Sequence, residues 1–172
     1  CGVHEALTIE AYLQIDGVPG ETLSEGYETW IELQDFDFSA RQTATTTVSS
    51  SGGATSGRAY MGDMLVRKPV DNATPKLHEA CCSGKHFSQV SIHVFRAGDP
   101  NVKYFEIKLE EVIVSSFSLA GNGGHADSFP SELIALNYGR IKLLYSKQSR
   151  KSGQGAGQIA GGWDAISNKV CS

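Results

Sequence analysis

The residue types able to do chemistry in this chain concentrate in one short stretch, H-E-A-C-C-S-G-K-H from His78 to His86. Cys82 with His86, or Cys81 with His78, are the pairings that would make a nucleophile with its base, or half of a zinc site. Neither has a second ligand pair at a recognised spacing, and no third group is placed to orient the imidazole. The stretch therefore reads as a helix end packed on a sheet. Ser83-Gly84-Lys85 imitates the end of a phosphate loop, but that loop needs glycine where Glu79 stands and a strand before it, so it is rejected. Carboxylates occur close together at Glu110-Glu111 and at Asp35 and Asp37. Residues two apart on a strand share a face and adjacent ones do not, so only Asp35 and Asp37 can line one surface together. A glycosidase acid would also need a deep cleft, for which the sequence carries no signal. His4, His93 and His125 stand isolated, and Asn72-Ala73-Thr74 fits a glycosylation pattern in which Thr74 is better used as a helix cap. No catalytic, cofactor-binding or metal residue is expected, and the chain is read as not an enzyme.

The elements that must position these residues are mostly strands. The helix spans the T-P-K-L-H-E-A-C-C-S-G segment, with Thr74 as N-cap, Pro75 at the first helical position and Gly84 as left-handed C-cap. Adjacent helical residues diverge by about 100°, so at most one of Cys81 and Cys82 faces the core. Ile9, Ala11, Leu13 and Ile15 alternate with polar residues as a half-buried strand does, and Asp16-Gly17-Val18-Pro19-Gly20 turns it. A strand over Glu28 to Ser39 changes phase between Leu33 and Phe36, which predicts a bulge near Gln34 or Asp35. Arg41 to Gly57 is read as a long loop and Arg58 to Val66 as a strand. After the helix, Val90, Ile92 and Val94 define a strand that turns at Ala97 to Asn101 into a partner running from Lys103 to Ser118, with a second bulge at Glu110-Glu111. Leu133 to Tyr145 returns with a phase slip at Gly139; Ser146 to Gly162 is read as a flexible linker, and Trp163 as the start of a last short strand. Bulged long strands curl, so the expected fold is mainly β: a small barrel of two packed, bent antiparallel sheets with one short flanking helix.

At 172 residues and 40% hydrophobic content the chain suits one domain, 1–172, with residues 1–8 expected to be flexible. No apolar run approaches the length of a membrane span and no signal-peptide layout opens the sequence, so no membrane insertion is expected. The four cysteines do not form a disulfide framework; Cys1 is read as a cloning remnant or a lipid-bearing residue, and Cys1 and Cys171 are the candidates for a disulfide between copies. The first forty residues carry nine acidic side chains and no Lys or Arg. From Arg140 onward Arg140, Lys142, Lys147, Arg150, Lys151 and Lys169 face a single Asp164. Opposite ends of opposite charge suit a head-to-tail contact between copies, or simply two solvated faces. No aromatic residue between Ser146 and Gly162 is available to stack a base, so no nucleic-acid partner is expected.

D-G-V-P-G-E at Asp16, the aromatic pair Phe36 and Phe38, D-N-A-T-P-K-L at Asp71 and A-C-C-S-G-K-H-F at Ala80 follow one another in order. So do Y-F-E-I-K-L-E-E-V-I-V-S-S-F-S at Tyr104, L-N-Y at Leu136 and G-W at Gly162. In this order and spacing, from about Ala11 to Val170, the chain resembles the Hcp family, the haemolysin-coregulated proteins of bacterial type VI secretion. The resemblance implies a tail-tube-like fold, six-membered rings stacked into the inner tube, sheath and spike proteins as partners, and small effectors in the lumen. It also implies assembly in the bacterial cytoplasm and secretion without a cleavable signal peptide. Under it, Asp37 and Asp35 are expected to face the lumen. The loop residues Thr45, Thr46, Thr47, Ser50, Gly52 and Gly53 are expected to reach a neighbouring ring or protomer. The competing readings are a tube protein of another contractile device and a secreted β-sandwich binding module.

Overall fold

The computed structural model describes residues 9–44, 56–96, 102–124, 129–148 and 155–172. Along the chain run β1 (Ile9–Ile15), β2 (Ile31–Leu33), β3 (Asp35–Asp37), β4 (Ala40–Ala44), β5 (Ser56–Met61), β6 (Met64–Pro69), α1 (Thr74–Ser83), β7 (His86–Arg96), β8 (Val102–Ala120), β9 (Ser131–Gln148), β10 (Gly155–Asp164) and β11 (Lys169–Val170). Every ladder is antiparallel, and the main sheet runs β11-β10-β9-β8-β7-β1-β2, with β6 joining β9 to β3. β4 and β5 form a separate two-stranded ribbon.

The fold is thus the expected bent, two-sheet, mainly β scaffold with one helix. The path ends where β2 gives way to β3. β2 pairs with β1 and β3 with β6, and between them the Gln34 N–H donates to the Arg67 carbonyl at 2.8 Å. The phase change between Leu33 and Phe36, read from sequence as a bulge, is instead this handover of one strand from one neighbour to another. Fully buried Leu13, Ile31, Val66, Ile92, Ile107, Leu109, Ile134 and Leu136 fill the interior. Burying each is worth about 1.5–3 kcal/mol.

The second predicted bulge is corrected. At Glu110-Glu111 the register does not slip: Gln89 pairs with Glu110 and Phe87 with Val112, and across the other edge Glu110 pairs with Arg140 and Val112 with Tyr138. Instead three strands change phase together. Val90, Leu109 and Ile141 form one buried row and Phe87, Val112 and Tyr138 the next, with exposed or half-buried residues between them on all three strands. Glu111 takes the left-handed φ of 54° that lets the chain skip a face without losing its partner. Opposite it, a Cβ on Gly139 would approach Ile166 Cδ1 at 2.8 Å and Glu111 Cβ at 3.2 Å, so the residue there is the one without a side chain. Register shifts do occur, between Val94 and Phe95 and between Val114 and Ser116.

Further boundaries differ from the sequence reading. Arg41 to Ala44 and Ser56 to Gly57 are strand, paired in the β4–β5 ribbon, so the expected long loop 41–57 begins and ends as a hairpin; its residues Thr45, Thr46, Thr47, Ser50, Gly52 and Gly53 lie outside the described residues. The strand expected over Arg58 to Val66 is two strands. They break at Gly62-Asp63, where Asp63 accepts from the Ser115 hydroxyl at 2.7 Å and the Asn137 amide at 3.0 Å. The expected linker 146–162 is strand at both ends, since Ser146 to Gln148 continue β9, and Gly155 to Gly162 pair with it as β10. Trp163 lies near the end of that strand rather than starting one.

Helix α1 packs Leu77 and Ala80 inward against β8, with Cys81 half-buried beside them and Cys82 exposed. Its C-cap is Gly84, at φ 64°. The N-cap is Ala73, not Thr74. The Ala73 N–H donates to Asp71 Oδ1 at 2.9 Å and the Asp71 N–H to Thr74 Oγ1 at 3.0 Å, which fixes the turn leading into the helix although no side chain caps its first N–H groups. Pro75 accordingly falls one residue inside the helix start.

Candidate functional site

No group of three or more His, Cys, Asp or Glu side chains is gathered for a metal among the described residues. No helix there is long and apolar enough to cross a membrane. What the fold offers instead is an open edge beside an apolar groove. β10 is held to β9 along its length, but its outer side meets β11 only at Trp163 and Asp164. Residues 155–162, G-A-G-Q-I-A-G-G, carry no charge, and Ile159 is 57% exposed. An uncharged strand edge without Lys or Pro lacks the usual protection against pairing with another chain.

The groove next to it, about 440 Å³, lies between the root of the β4–β5 ribbon and β9–β10, where Phe38 and Met61 face Ile141, Leu143 and Trp163. The Trp163 indole N–H is buried without an acceptor. Such a donor costs about 1–3 kcal/mol unless something arrives to accept from it. The groove keeps its width because the ribbon is tied down at one end: the Arg58 guanidinium donates to the Ala165 carbonyl and the Ala59 N–H to Asn168 Oδ1 at 3.3 Å. That turn is organised by Asp164. Its Oδ1 accepts from the Ile166 and Ser167 N–H groups at 2.9 and 3.1 Å, and its Oδ2 from Arg140 Nε at 3.0 Å. The Ser167 N–H above all, and then the Arg140 guanidinium, hold the Asp164 carboxyl down to about 2. Arg140 also reaches Glu110 at 3.3 Å, so one of the C-terminal cations is neutralised within the fold.

Asp35 and Asp37 share the exposed face of β3, while Phe36 and Phe38 pack against the core, as alternation requires. Asp35 meets Arg67 at 3.3 Å with both side chains more than half exposed, a pair worth at most about 1 kcal/mol. Cys171 is a free, half-buried thiol; Cys1, His4 and His125 lie outside the described residues. Neither of the Cys–His pairings considered from sequence forms. Cys82 meets His78, one helical turn earlier, with Sγ 3.7 Å from Nε2.

His93 is not isolated. Its Nδ1 accepts from the Tyr27 hydroxyl at 2.9 Å and its Nε2 faces Glu106 at 3.1 Å; Glu106 in turn holds Lys103 at 3.2 Å. Burial lowers the His93 pKa, against the opposing pull of Glu106. Burial pushes Glu106 up, but His93 and then Lys103 more than offset this and hold its carboxyl below the usual range. Tyr12, Tyr27, Trp30 and Phe95 stack around the same point, pinning the connection after β1 over the outer face of β1 and β7. The sequence did carry a signal for this cluster, because Tyr12, His93 and Phe95 occupy the strand phases opposite the core.

A bent antiparallel sheet with an open outer edge at β10 beside an apolar groove is the class of surface that packs against another chain. The family model described as type VI secretion system effector, Hcp, matches residues 12–145, and the chain belongs to that family. It is not a family of enzymes. The chain is 36% identical over 107 residues to protein hcp1 of Pseudomonas aeruginosa, a match covering 62% of this chain and 65% of that one, somewhat under two thirds of the curated relative's length. A solved structure of a type six secretion system protein superposes with a TM-score of 0.87 at 29% identity, over 96% of this chain and 100% of that one. Hcp1 from Salmonella typhimurium, at 22% identity and a TM-score of 0.78 over 96% and 100% of the two chains, shares the fold.

Proposed function

We propose that this chain is the structural subunit of a type VI secretion inner tube, closing into rings of six that stack and are expelled by a contractile sheath behind a spike. The observation that carries this reading is the family match across residues 12–145, which includes the whole bent sheet apart from β10 and β11. The surfaces support it. A ring requires a head-to-tail contact between two unlike patches, and the uncharged β10 edge with its apolar groove is unlike the acidic face of β3. The β4–β5 ribbon is the element proposed to reach the neighbouring ring. Asp35 and Asp37 are the residues proposed to face the lumen, where small effector proteins ride. Assembly takes place in the bacterial cytoplasm and delivery is to the extracellular space or a target cell.

Negative-stain electron microscopy of the purified protein tests this directly. Rings with a central opening are expected; isolated globular particles at concentrations well above micromolar would overturn it. Asp37→Arg is expected to keep the ring and change retention of co-expressed effectors, and loss of the ring in that variant would remove Asp37 from the lumen.

A further inference from the structure

The exposed face of α1 holds a pair of side chains that the assembly reading does not use. His78 and Cys82 are four residues apart, which places them one above the other on the same helix face. Their Nε2 and Sγ atoms lie 3.7 Å apart. Zinc bonds of about 2.3 Å to sulfur and about 2.0–2.1 Å to nitrogen, opened to the tetrahedral angle, put these two atoms about 3.6 Å apart. The two atoms, joined as a long hydrogen bond, therefore already stand at the separation a metal chelate requires. The imidazole is held in place by Phe117 of β8, which it meets edge-on with ring centroids 5.4 Å apart. The thiol is free and exposed, and the two side chains open with Glu79 and Ser83 into a shallow surface depression. Cys81, packed against the core, points elsewhere.

We propose that His78 and Cys82 form a two-point binding site for one thiophilic divalent cation of the zinc type per chain. As the sulfur–metal bond forms, the Cys82 thiol gives its proton to solvent, the imidazole donates its Nε2 lone pair, and water fills the remaining positions. With two protein ligands the site is exchangeable rather than structural. Proton release makes its affinity rise with pH. Because it lies on one helix of one chain, it exists whether or not the chain assembles into a ring.

The test is a titration of the reduced full chain with Co²⁺ in the absence of oxygen, followed through thiolate-to-cobalt charge-transfer absorption and then by competition with Zn²⁺. One ion per chain is expected. Cys82→Ser removes the charge-transfer band, Cys81→Ser keeps it, and His78→Gln weakens binding by at least the about tenfold that even losing an outer-shell partner costs. His78 and Cys82 are exposed, so their two variants are expected to melt like the parent in chelator. A band that survives Cys82→Ser, binding indifferent to His78→Gln, or no band in the parent chain would each overturn the site while leaving the tube reading untouched.

Discussion

Lys68 is fully buried, with its ammonium 2.7 Å from both Glu132 and Asp71 and 3.0 Å from the Pro69 carbonyl, so all three of its donors are used. Removing it leaves two carboxylates uncompensated. Lys68→Met is expected to cost about 3–5 kcal/mol in urea unfolding. Asp71 adds to the loss because it also holds the Ala73 N–H in the turn that leads into α1. Tyr138 makes a different bond, donating its hydroxyl to the Gly62 carbonyl at 2.8 Å, at the break between β5 and β6. Burial, helped by the Asp63 charge, pushes its pKa up to about 12 from 10.0. A phenol raised in this way stabilises the fold fully below pH 10 and loses that contribution as pH climbs through 12. Tyr138→Phe is expected to lower stability by about 0.5–1.5 kcal/mol at neutral pH and to flatten this alkaline loss in melts run across pH 9–12. The long-range pairings were not legible in the sequence: Lys68 and Glu132 are 64 positions apart, and Tyr138 and Gly62 76. Local spacing reveals neighbours on one strand or helix, whereas these partners meet only once the sheet has formed.

At the scale of elements, legibility followed the burial pattern. β1, β7, β8 and β9 each bury one face of the core, so their alternation could be read before the structure was known. β10 buries little, and its G-A-G-Q-I-A-G-G sequence imitates a linker, yet the β9 edge is long enough to pair with it. Glycine has a positional reason at the end of this strand. A Cβ on Gly162 would stand 2.8 Å from the Cys171 carbonyl and 3.0 Å from that of Ile141. Gly162→Ala is expected to displace β11 at a cost of about 1–3 kcal/mol, read as lost hydrogen-exchange protection at Cys171, whose N–H donates to the Gly162 carbonyl. The Asp164 turn supplies an acid-sensitive element. Its carboxyl is ordinarily at 3.8 and lies at about 2 in the fold, so its stabilisation is present above pH 3.8 and fades as pH falls through about 2. Trp163 emission is expected to report a transition in that window, absent in Asp164→Asn; an identical transition in the variant would assign it to another carboxylate.

At the scale of the whole molecule, charge and edges agree on self-association. The acidic N-terminal part survives as exposed carboxylates on β3, whereas part of the basic C-terminal part is spent internally through Arg140. The contact is therefore expected to draw more on the apolar groove and the β10 edge than on long-range charge, and to weaken only modestly in high salt. A charge placed on that edge tests the assignment: Ile159→Lys is expected to reduce assembly while leaving the chain folded, because Ile159 is exposed. The most direct measurement is the native mass of the parent protein, with and without reductant, by light scattering on a sizing column. A mass of about six chains that does not change with reductant is the predicted result, since the proposed ring would close through surface complementarity rather than through Cys1 and Cys171. A clean monomer at high concentration would contradict the tube subunit proposed here.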